Sequence, residues 1–336
     1  MKLRFLGVLG LISLLLACSG PSFNGLTVSG TLTGAENMTV TVDRFTANGQ
    51  YVPLADTLIA AGHEVGALTK NETFAEVLKA RGITEVIVDR LESDSWHSLV
   101  RNDYTKIINC VSSAGNGLSG YESSYYEGQA SIIQWTKSHS IETFVYTSST
   151  SVYPENSGSW VSEDSLKEDS VHSDTAQVLR RSENLIESNQ SHFNNYFILR
   201  LSGIYGPERH YLLNQIQSSN AIAGSGDYFM NMIHVDDIVS AIIGLIDVKS
   251  NIPSGIYNLS DDMPTKKEVV VEWLANELGI AVPSFDKDLV TQRNASRKTR
   301  TKNRRIANTK IKEAMGLVLK YPSYKEGYTQ IIGQLS

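Results

Sequence analysis

Small polar side chains follow two long apolar runs, YTKIINC and IETFVY, and these residues are the ones best placed for chemistry. The first run is followed by Val111 and then by the hydroxyl residues Ser112 and Ser113. The second run is followed by Thr147, Ser148 and Ser149. A hydroxyl group can donate one hydrogen bond and accept two, so it can hold a cofactor ring or a reacting carbonyl. Two further candidates, Lys70 and Asp89, follow shorter apolar runs.

The segments that must position these residues alternate between two patterns. Apolar runs typical of buried strands end near residues 69, 89, 110 and 149, and amphipathic stretches such as TFAEVLKARG and SSYYEGQASIIQWTKSHS lie between them. This alternation predicts an α/β fold with a doubly wound parallel sheet. Ligands of such sheets bind beyond the carboxyl ends of the strands, where all of these candidates fall.

Four blocks of sequence then carry a family resemblance over about residues 56–330: FVYTSSTSVYP, FILRLSGIYGPERH, NMIHVDDIVSAIIGLI and GIYNLSDDMPTKKEVVVEWLANELGI. In this order and spacing they resemble the extended short-chain dehydrogenase/reductases, the NAD(P)-dependent epimerase/dehydratase superfamily. The resemblance implies a Rossmann-like domain at 56–200 and a smaller C-terminal α/β substrate lobe at 201–336. It also implies NAD or NADP as cofactor, a sugar-like or carbonyl compound as substrate, and a homodimer by analogy.

The resemblance assigns roles to individual residues. Ser149 would bond the reacting carbonyl or hydroxyl. The cofactor would be held by Gly49, Lys70, Asp89, Val111, Ser112, Ser113, Thr147 and Ser148, and the substrate by Ser151, Tyr153, Arg209 and His210. Lys70 would favour the 2′-phosphate of NADP, although it could equally be a solvent-exposed lysine. Asp89 would meet the adenine, or it could cap the following turn.

Two features depart from the family pattern. The family's catalytic tyrosine and lysine correspond to Thr175 and Leu179, and a threonine hydroxyl titrates far too high to replace a tyrosine acid/base. His172 could serve as the base, although a surface histidine is the alternative interpretation. The glycine-rich phosphate loop is also reduced, since Gly49 is the single glycine in MTVTVDRFTANGQYVPLADT. We therefore expect weakened cofactor binding and atypical or lost catalysis.

The N-terminal residues favour a different interpretation. Lys2 and Arg4 precede an apolar run that ends at Leu15-Leu16-Ala17-Cys18, a pattern that resembles a bacterial lipoprotein signal with Cys18 as the lipidated residue. We expect a signal at 1–18 and a β-rich segment at 19–55 that could supply a surrogate first strand, centred on Met38–Phe45. The rival interpretation makes the apolar run the first strand and places Gly7 and Gly10 in its turn.

Composition limits the remaining possibilities. The formal net charge of −6 gives no reason to expect nucleic acid as a partner. The basic run RNASRKTRTKNRR, residues 293–305, is interpreted as a solvated loop. No metal is expected at His234, Asp236 and Asp237, because in the family this stretch is a strand that enters a helix, with an aspartate as N-cap. No apolar run is long enough to span a membrane, so membrane contact would require a lipid at Cys18.

Three functions remain open on this sequence. The first is an NAD(P)-linked oxidoreductase with an atypical or lost active site. The second is a non-catalytic nucleotide-binding or interaction module, and the third is an envelope lipoprotein with a structural dehydrogenase-like body. The expected location depends on the choice, since the dehydrogenase-like body suits the cytoplasm and a functional signal would direct the chain to the cell envelope.

Overall fold

The computed structural model describes residues 4–9, 53–113, 117–166, 173–246, 251–289 and 303–335. The described residues form two compact units that divide near residue 142. The first unit holds residues 54–142 together with the strand at 4–9, and the second holds residues 143–335. The sequence analysis placed its boundary at residue 200, so the second unit contains more strands than the predicted substrate lobe.

The first unit contains a parallel sheet with the strand order β4-β1-β2-β3. Its strands are β1 (Arg4–Leu9), β2 (Gly66–Thr69), β3 (Glu85–Val88) and β4 (Tyr104–Asn109). Its helices are α1 (Pro53–Ala60), α2 (Glu72–Ala80), α3 (Gly117–Tyr121) and α4 (Gly128–Thr136), with a π-helical turn at Glu122–Glu127 between the last two. The predicted alternation of strands and helices is confirmed over this range.

Strand β1 gives the N-terminal apolar run a place in the sheet. Val8 is in register with Leu68 of β2 and with Asn109 of β4, so the strand lies between these two neighbours. The position that the surrogate strand of residues 19–55 was expected to fill is therefore occupied by residues 4–9. A central parallel strand is apolar on both faces, as is the core of a signal sequence, so composition alone does not separate the two. Cys18 and Met38–Phe45 lie outside the described residues, and processing as a lipoprotein stays a prediction.

Local sequence accounts for the elements around β2. Asn71 caps α2, since its side-chain oxygen accepts a hydrogen bond from the amide of Phe74 at 2.7 Å. Phe74, Ala75 and Leu78 recur at helical spacing and are all buried. A glycine turn joins helix α1 to strand β2, with Gly62 at φ 83°.

The second unit contains a further set of strands in the order β12-β7-β5, with β12 parallel to β7. These strands are β5 (Ile141–Ser149), β7 (Phe193–Leu201) and β12 (Gly255–Leu259). Shorter strands make four separate pairs: β6 (Trp160–Val161) with β15 (Arg305–Ile306), β8 (Gly203–Tyr205) with β11 (Met232–His234), β9 (Ala221–Ala223) with β14 (Ser284–Asp286), and β10 (Phe229–Met230) with β13 (Thr265–Lys266).

Six helices of the described residues complete the second unit: α5 (Asp174–Ser188), α6 (Tyr211–Ser218), α7 (Val235–Ile246), α8 (Lys267–Glu277), α9 (Thr309–Met315) and α10 (Tyr324–Leu335). A separate apolar core joins α6, α8 and α10, where Leu213, Val270 and Ile331 are buried together. Such a core is what the predicted substrate lobe requires. No helix among the described residues combines the length and apolar character that crossing a bilayer demands.

Candidate active site

The carboxyl end of β4 is buried and held by one amide side chain. Asn109 accepts a hydrogen bond from the amide of Val111 at 3.1 Å and donates to Gln129 of α4 at 2.8 Å. Val111, Ser112 and Ser113 are between 2% and 7% exposed. The segment predicted to hold the cofactor is therefore fixed in position from within its own unit.

Asp89 performs the alternative role that the sequence left open. One of its carboxylate oxygens accepts from the amide of Arg90 at 2.7 Å, and the other accepts from the hydroxyl of Ser95 at 2.5 Å. Both oxygens thus stabilise the turn that follows β3. Lys70, at the end of β2, is half-buried; its preference for NADP stays a prediction.

The end of β5 combines two buried hydroxyls with one that is more accessible. Thr147 and Ser148 are at most 1% exposed, whereas Ser149 is half-buried. Ser148 donates its hydroxyl proton to Glu183 of α5 at 2.6 Å. The oxygen of Ser149 accepts from the amide of Ser151 at 3.2 Å and so caps the 3₁₀ turn at Thr150–Val152. Ser148 is engaged in packing, and Ser149 is the hydroxyl that a substrate could reach.

Behind β5 lies a buried ion pair that the sequence analysis did not assign to the site. Arg200 of β7 donates to both carboxylate oxygens of Glu183, at 3.0 and 2.8 Å, and both side chains are at most 1% exposed. Burial by itself would raise the pKa of the Glu183 carboxyl, but the Arg200 charge and the hydrogen bonds hold it below its ordinary value. Both groups are therefore charged at neutral pH.

Tyr153, predicted to bind substrate, is instead part of this network. It is fully buried, its hydroxyl donates to the Asn258 side chain at 2.7 Å, and it accepts from Arg200 at 3.0 Å. Burial raises the pKa of its hydroxyl group. The described hydrogen-bond partners of its hydroxyl lie on β7 and β12.

Helix α5 carries the positions of the family's tyrosine and lysine. Thr175 is half-buried on its first turn and Leu179 is 2% exposed one turn later. Arg180, the neighbouring cation, lies 2.9 Å from Glu183 and 3.3 Å from Glu187. Neither Thr175 nor Leu179 carries a group that titrates near neutral pH. His172, the predicted alternative base, and Gly49, the predicted loop glycine, lie outside the described residues.

The predicted substrate residues after β8 are held in a tight turn. Arg209 donates to the carbonyl of Ile204 at 3.2 Å, and the Nδ1 of His210 lies 3.4 Å from the carbonyl of Gly206. Gly206 has φ 156°, and a Cβ there would meet the Val235 side chain at 2.6 Å, so the turn requires glycine. Burial lowers the pKa of His210, which favours its neutral form.

Asp237, one of the two aspartates after His234, does not form the predicted N-cap of a helix. Helix α7 begins at Val235, and Asp237 lies within its first turn. The Asp237 carboxylate accepts from the backbone amides of Lys320 and Tyr321, at 2.6 and 3.1 Å, and so anchors a distant segment. No cluster of three or more metal-ligating side chains occurs among the described residues.

A cavity of about 820 Å³ in the first unit is not at the strand ends where chemistry is expected. It lies near Tyr104, at the amino end of β4, and its lining includes His139. The His139 ring stacks on Trp135 at 3.7 Å, and its two nitrogens lie 2.6 Å from the Trp135 carbonyl and 3.3 Å from the Asn102 side-chain oxygen. The histidine is thus committed to local packing.

Comparison with known proteins identifies the family. Residues 52–260 match the NAD dependent epimerase/dehydratase family. The chain belongs to this family. The Rossmann-like α/β fold expected from the sequence is confirmed by the solved structures that resemble it, and members of this family are extended short-chain dehydrogenase/reductases.

Three relatives illustrate the similarity. Protein YeeZ of Escherichia coli K12 is 25% identical over 279 residues, which cover 81% of this chain and 92% of YeeZ. The UDP-glucose 4-epimerase of Thermotoga maritima, solved with UDP-glucose, aligns with a TM-score of 0.71 at 17% identity over 89% of this chain and 99% of that one. The UDP-glucuronic acid 4-epimerase of Bacillus cereus, solved with NAD, aligns with a TM-score of 0.68 at 18% identity over 84% and 94%.

Sequence reasoning missed two residues that hold the end of β5. Glu183 anchors Ser148, and Arg304 donates to the backbone carbonyls of Thr150 and Tyr153, both at 2.8 Å. Arg304 belongs to the basic run interpreted as a solvated loop, but it is 8% exposed, so that interpretation is wrong at this residue. No local signal distinguishes it, because its partners lie more than 150 positions earlier in the chain.

Proposed function

We propose that this chain binds NAD or NADP and is an epimerase/dehydratase-type oxidoreductase whose catalysis on sugar-like or carbonyl compounds is atypical or lost. The observation that carries the proposal is the composition of α5, where Thr175 and Leu179 stand at the positions of the acid/base tyrosine and its lysine. Leu179 is 2% exposed in apolar packing. Without a titratable pair, a hydride transfer there would lack its matching proton transfer.

The residues at the strand ends support a nicotinamide more than an adenine contact. Short side chains follow β5, as an approaching flat ring requires, and Ser149 is half-buried with its hydroxyl proton available for donation. By contrast, both carboxylate oxygens of Asp89 already accept hydrogen bonds. The bound dinucleotide would supply the hydride chemistry, while Ser149 would orient the reacting carbonyl.

Calorimetric titration of NADH and NADPH into the full chain tests the binding half of the proposal. We expect binding of at least one nucleotide with a Kd in the micromolar to millimolar range, weaker than a complete glycine-rich loop would give. Absence of any heat of binding at millimolar nucleotide would show that the family membership describes ancestry and fold, and the non-catalytic interaction module would replace the proposal.

A gain-of-function variant tests the catalytic half. Thr175→Tyr combined with Leu179→Lys restores the family's pair, and we expect NAD(P)H-linked turnover of a panel of sugar nucleotides and small carbonyl compounds to rise roughly 10²-fold. The matched control is Thr175→Phe with Leu179→Lys, which adds the ring and the cation without the hydroxyl. Equal rates in the two variants, both with native circular dichroism, would contradict the role assigned to position 175.

A further inference from the structure

Ser149 ends β5 and begins a turn whose geometry determines where its hydroxyl lies. The turn is the 3₁₀ segment Thr150–Val152, closed by the amide of Tyr153, which donates to the carbonyl of Thr150 at 3.2 Å. Within it, the amide of Ser151 donates to the Ser149 hydroxyl oxygen at 3.2 Å. A change in the turn would therefore move the one hydroxyl that the proposed chemistry uses.

One guanidinium group spans both ends of this turn. The two terminal nitrogens of Arg304 donate to the carbonyls of Tyr153 and Thr150, each at 2.8 Å. A planar fork reaches both carbonyls simultaneously, which the point charge of a lysine does less well. The contact joins residues 151 to 154 positions apart, so it cannot arise from local structure.

The backbone of Arg304 is itself fixed. Its carbonyl accepts from the side-chain amide of Asn231 at 2.9 Å, and the oxygen of that amide accepts from the Ile306 backbone at 2.7 Å. Arg305, the next residue, donates to the carbonyl of Gly158 at 2.8 Å and packs between two aromatic rings. The segment is thus clamped on both sides of the arginine.

Arg304 also differs from an ordinary buried arginine. No carboxylate among the described residues forms an ion pair with it, and its described side-chain partners are the two carbonyls. Burial lowers its pKa to about 10, which still leaves it charged at neutral pH. A buried cation that forms no ion pair costs stability, which the charge of Glu155 offsets only in part, so the two carbonyl contacts point to a use of Arg304 in shaping the turn.

We propose that Arg304 is a positioning residue that holds the Thr150–Tyr153 turn and thereby sets the place of the Ser149 hydroxyl. The inference rests on the proposed function for the use of Ser149, but the mechanical part stands on the contacts alone. Arg304 does not touch the reacting atoms; it acts through the turn.

Hydrogen exchange on the full chain tests the mechanical part without any ligand. In Arg304→Ala we expect the peptide covering residues 149–153 to exchange at least tenfold faster, with a smaller increase in Arg304→Lys. Arg90→Ala is the matched control, because it removes the same charge from a side chain that is 66% exposed in the first unit, and it should leave this peptide unchanged. A peptide covering Phe193–Leu201 reports global stability, and in Arg304→Ala its exchange should accelerate less than that of residues 149–153.

Two outcomes would overturn the inference. One is wild-type protection of residues 149–153 in Arg304→Ala, and the other is equal loss of protection in Arg90→Ala. If Arg304→Ala does not fold, Arg304→Lys decides, since a fork that spans two carbonyls predicts partial loss and an incidental contact predicts none.

Kinetics tests the link to the proposed function. Where the wild type turns over, kcat should fall at least tenfold in Arg304→Ala, while the nucleotide Kd stays within twofold and Arg304→Lys recovers part of the rate. Equal changes in kcat and Kd would overturn the positioning role. A wild type that binds no nucleotide would remove the proposed function but leave the exchange result to decide the role of Arg304.

Discussion

Two arginines of the second unit are buried against the same tyrosine, yet their environments shift their pKa values in opposite directions. Arg200 donates to the Tyr153 hydroxyl at 3.0 Å and Arg304 to its carbonyl at 2.8 Å. Arg200 is paired with the carboxylate of Glu183, whereas Arg304 faces neutral carbonyls. Burial acts on both in the same direction, but Glu183 reverses it for Arg200, whose pKa rises, while the pKa of Arg304 falls to about 10.

The difference shows two ways of keeping a cation in a protein interior. A full counter-charge makes the pair strongly interdependent, so the loss of either member leaves an uncompensated charge. Carbonyl dipoles compensate a buried charge less than a carboxylate does. An arginine held by carbonyls therefore destabilises the folded state more than a paired one, and its removal should lower the free energy of unfolding less. Since both residues hold the segment that contains Ser149, the comparison predicts that their removal will differ in size as well as in kind.

The largest effect is expected at the paired site. Glu183→Gln keeps the shape of the side chain but leaves Arg200 charged and without its carboxylate, and we expect the free energy of unfolding to fall by about 3–5 kcal/mol. Urea unfolding followed by circular dichroism measures it.

The same helix offers a control. Glu187 lies 3.3 Å from Arg180, and its side chain is 35% exposed. A pair of this kind contributes about 0–1 kcal/mol, so Glu187→Gln should change stability little. Similar losses of stability in Glu183→Gln and Glu187→Gln would mean that the buried pair contributes no more than an exposed one. The contrast drawn between Arg200 and Arg304 would then be wrong.

The sequence predicted the parts of the site that depend on local pattern. The ends of β4 and β5 and the position of α5 follow from apolar runs, helical spacing and the TSSTSVY block, and the structure places them as expected. Tyr153 and Arg304 were misjudged for one physical reason. The hydroxyl of Tyr153 meets Asn258, 105 residues later, and Arg304 meets a turn more than 150 residues earlier. Residue type gives no sign of such partners before the chain is folded.

The N-terminal run shows a different limit. A signal core and a central parallel strand are both short, apolar and without period, so the sequence supports both interpretations. The strand position is visible in the folded chain alone, where Val8 lies between Leu68 and Asn109, and use of the same run as a signal stays a prediction.

A smaller effect is expected at the unpaired arginine. Arg304→Met removes two charge-assisted hydrogen bonds, which leaves the Tyr153 carbonyl without this donor and the Thr150 carbonyl with the Tyr153 amide, but it also removes the cost of a buried cation. We expect a loss of about 1–2 kcal/mol in the same urea experiment. A loss as large as that of Glu183→Gln would show that carbonyls compensate a buried guanidinium as fully as a carboxylate does.

The comparison extends to a buried acid without a cation. Asp261 is 1% exposed, one of its oxygens accepts a long hydrogen bond from the Met263 amide at 3.4 Å, and the other has no partner among the described residues. Burial raises its pKa to about 8, helped by Asp262, Asp237 and Glu326. Like Arg304, it forms no ion pair with any described residue, but a carboxyl can respond by keeping its proton.

That response gives stability a pH dependence with a definite sign. The unfolded carboxyl titrates near pH 4 and the folded one near pH 8, so between these values the folded chain binds more protons and the free energy of unfolding falls as pH rises. Asp261→Asn abolishes this contribution. We therefore expect the wild type to lose at least about 1 kcal/mol more than the variant when urea unfolding is compared at pH 6 and pH 9. Equal losses of unfolding free energy in the wild type and in Asp261→Asn would mean that Asp261 is already ionised at pH 6. The second unit would then hold both a cation and an anion in its interior without an ion pair.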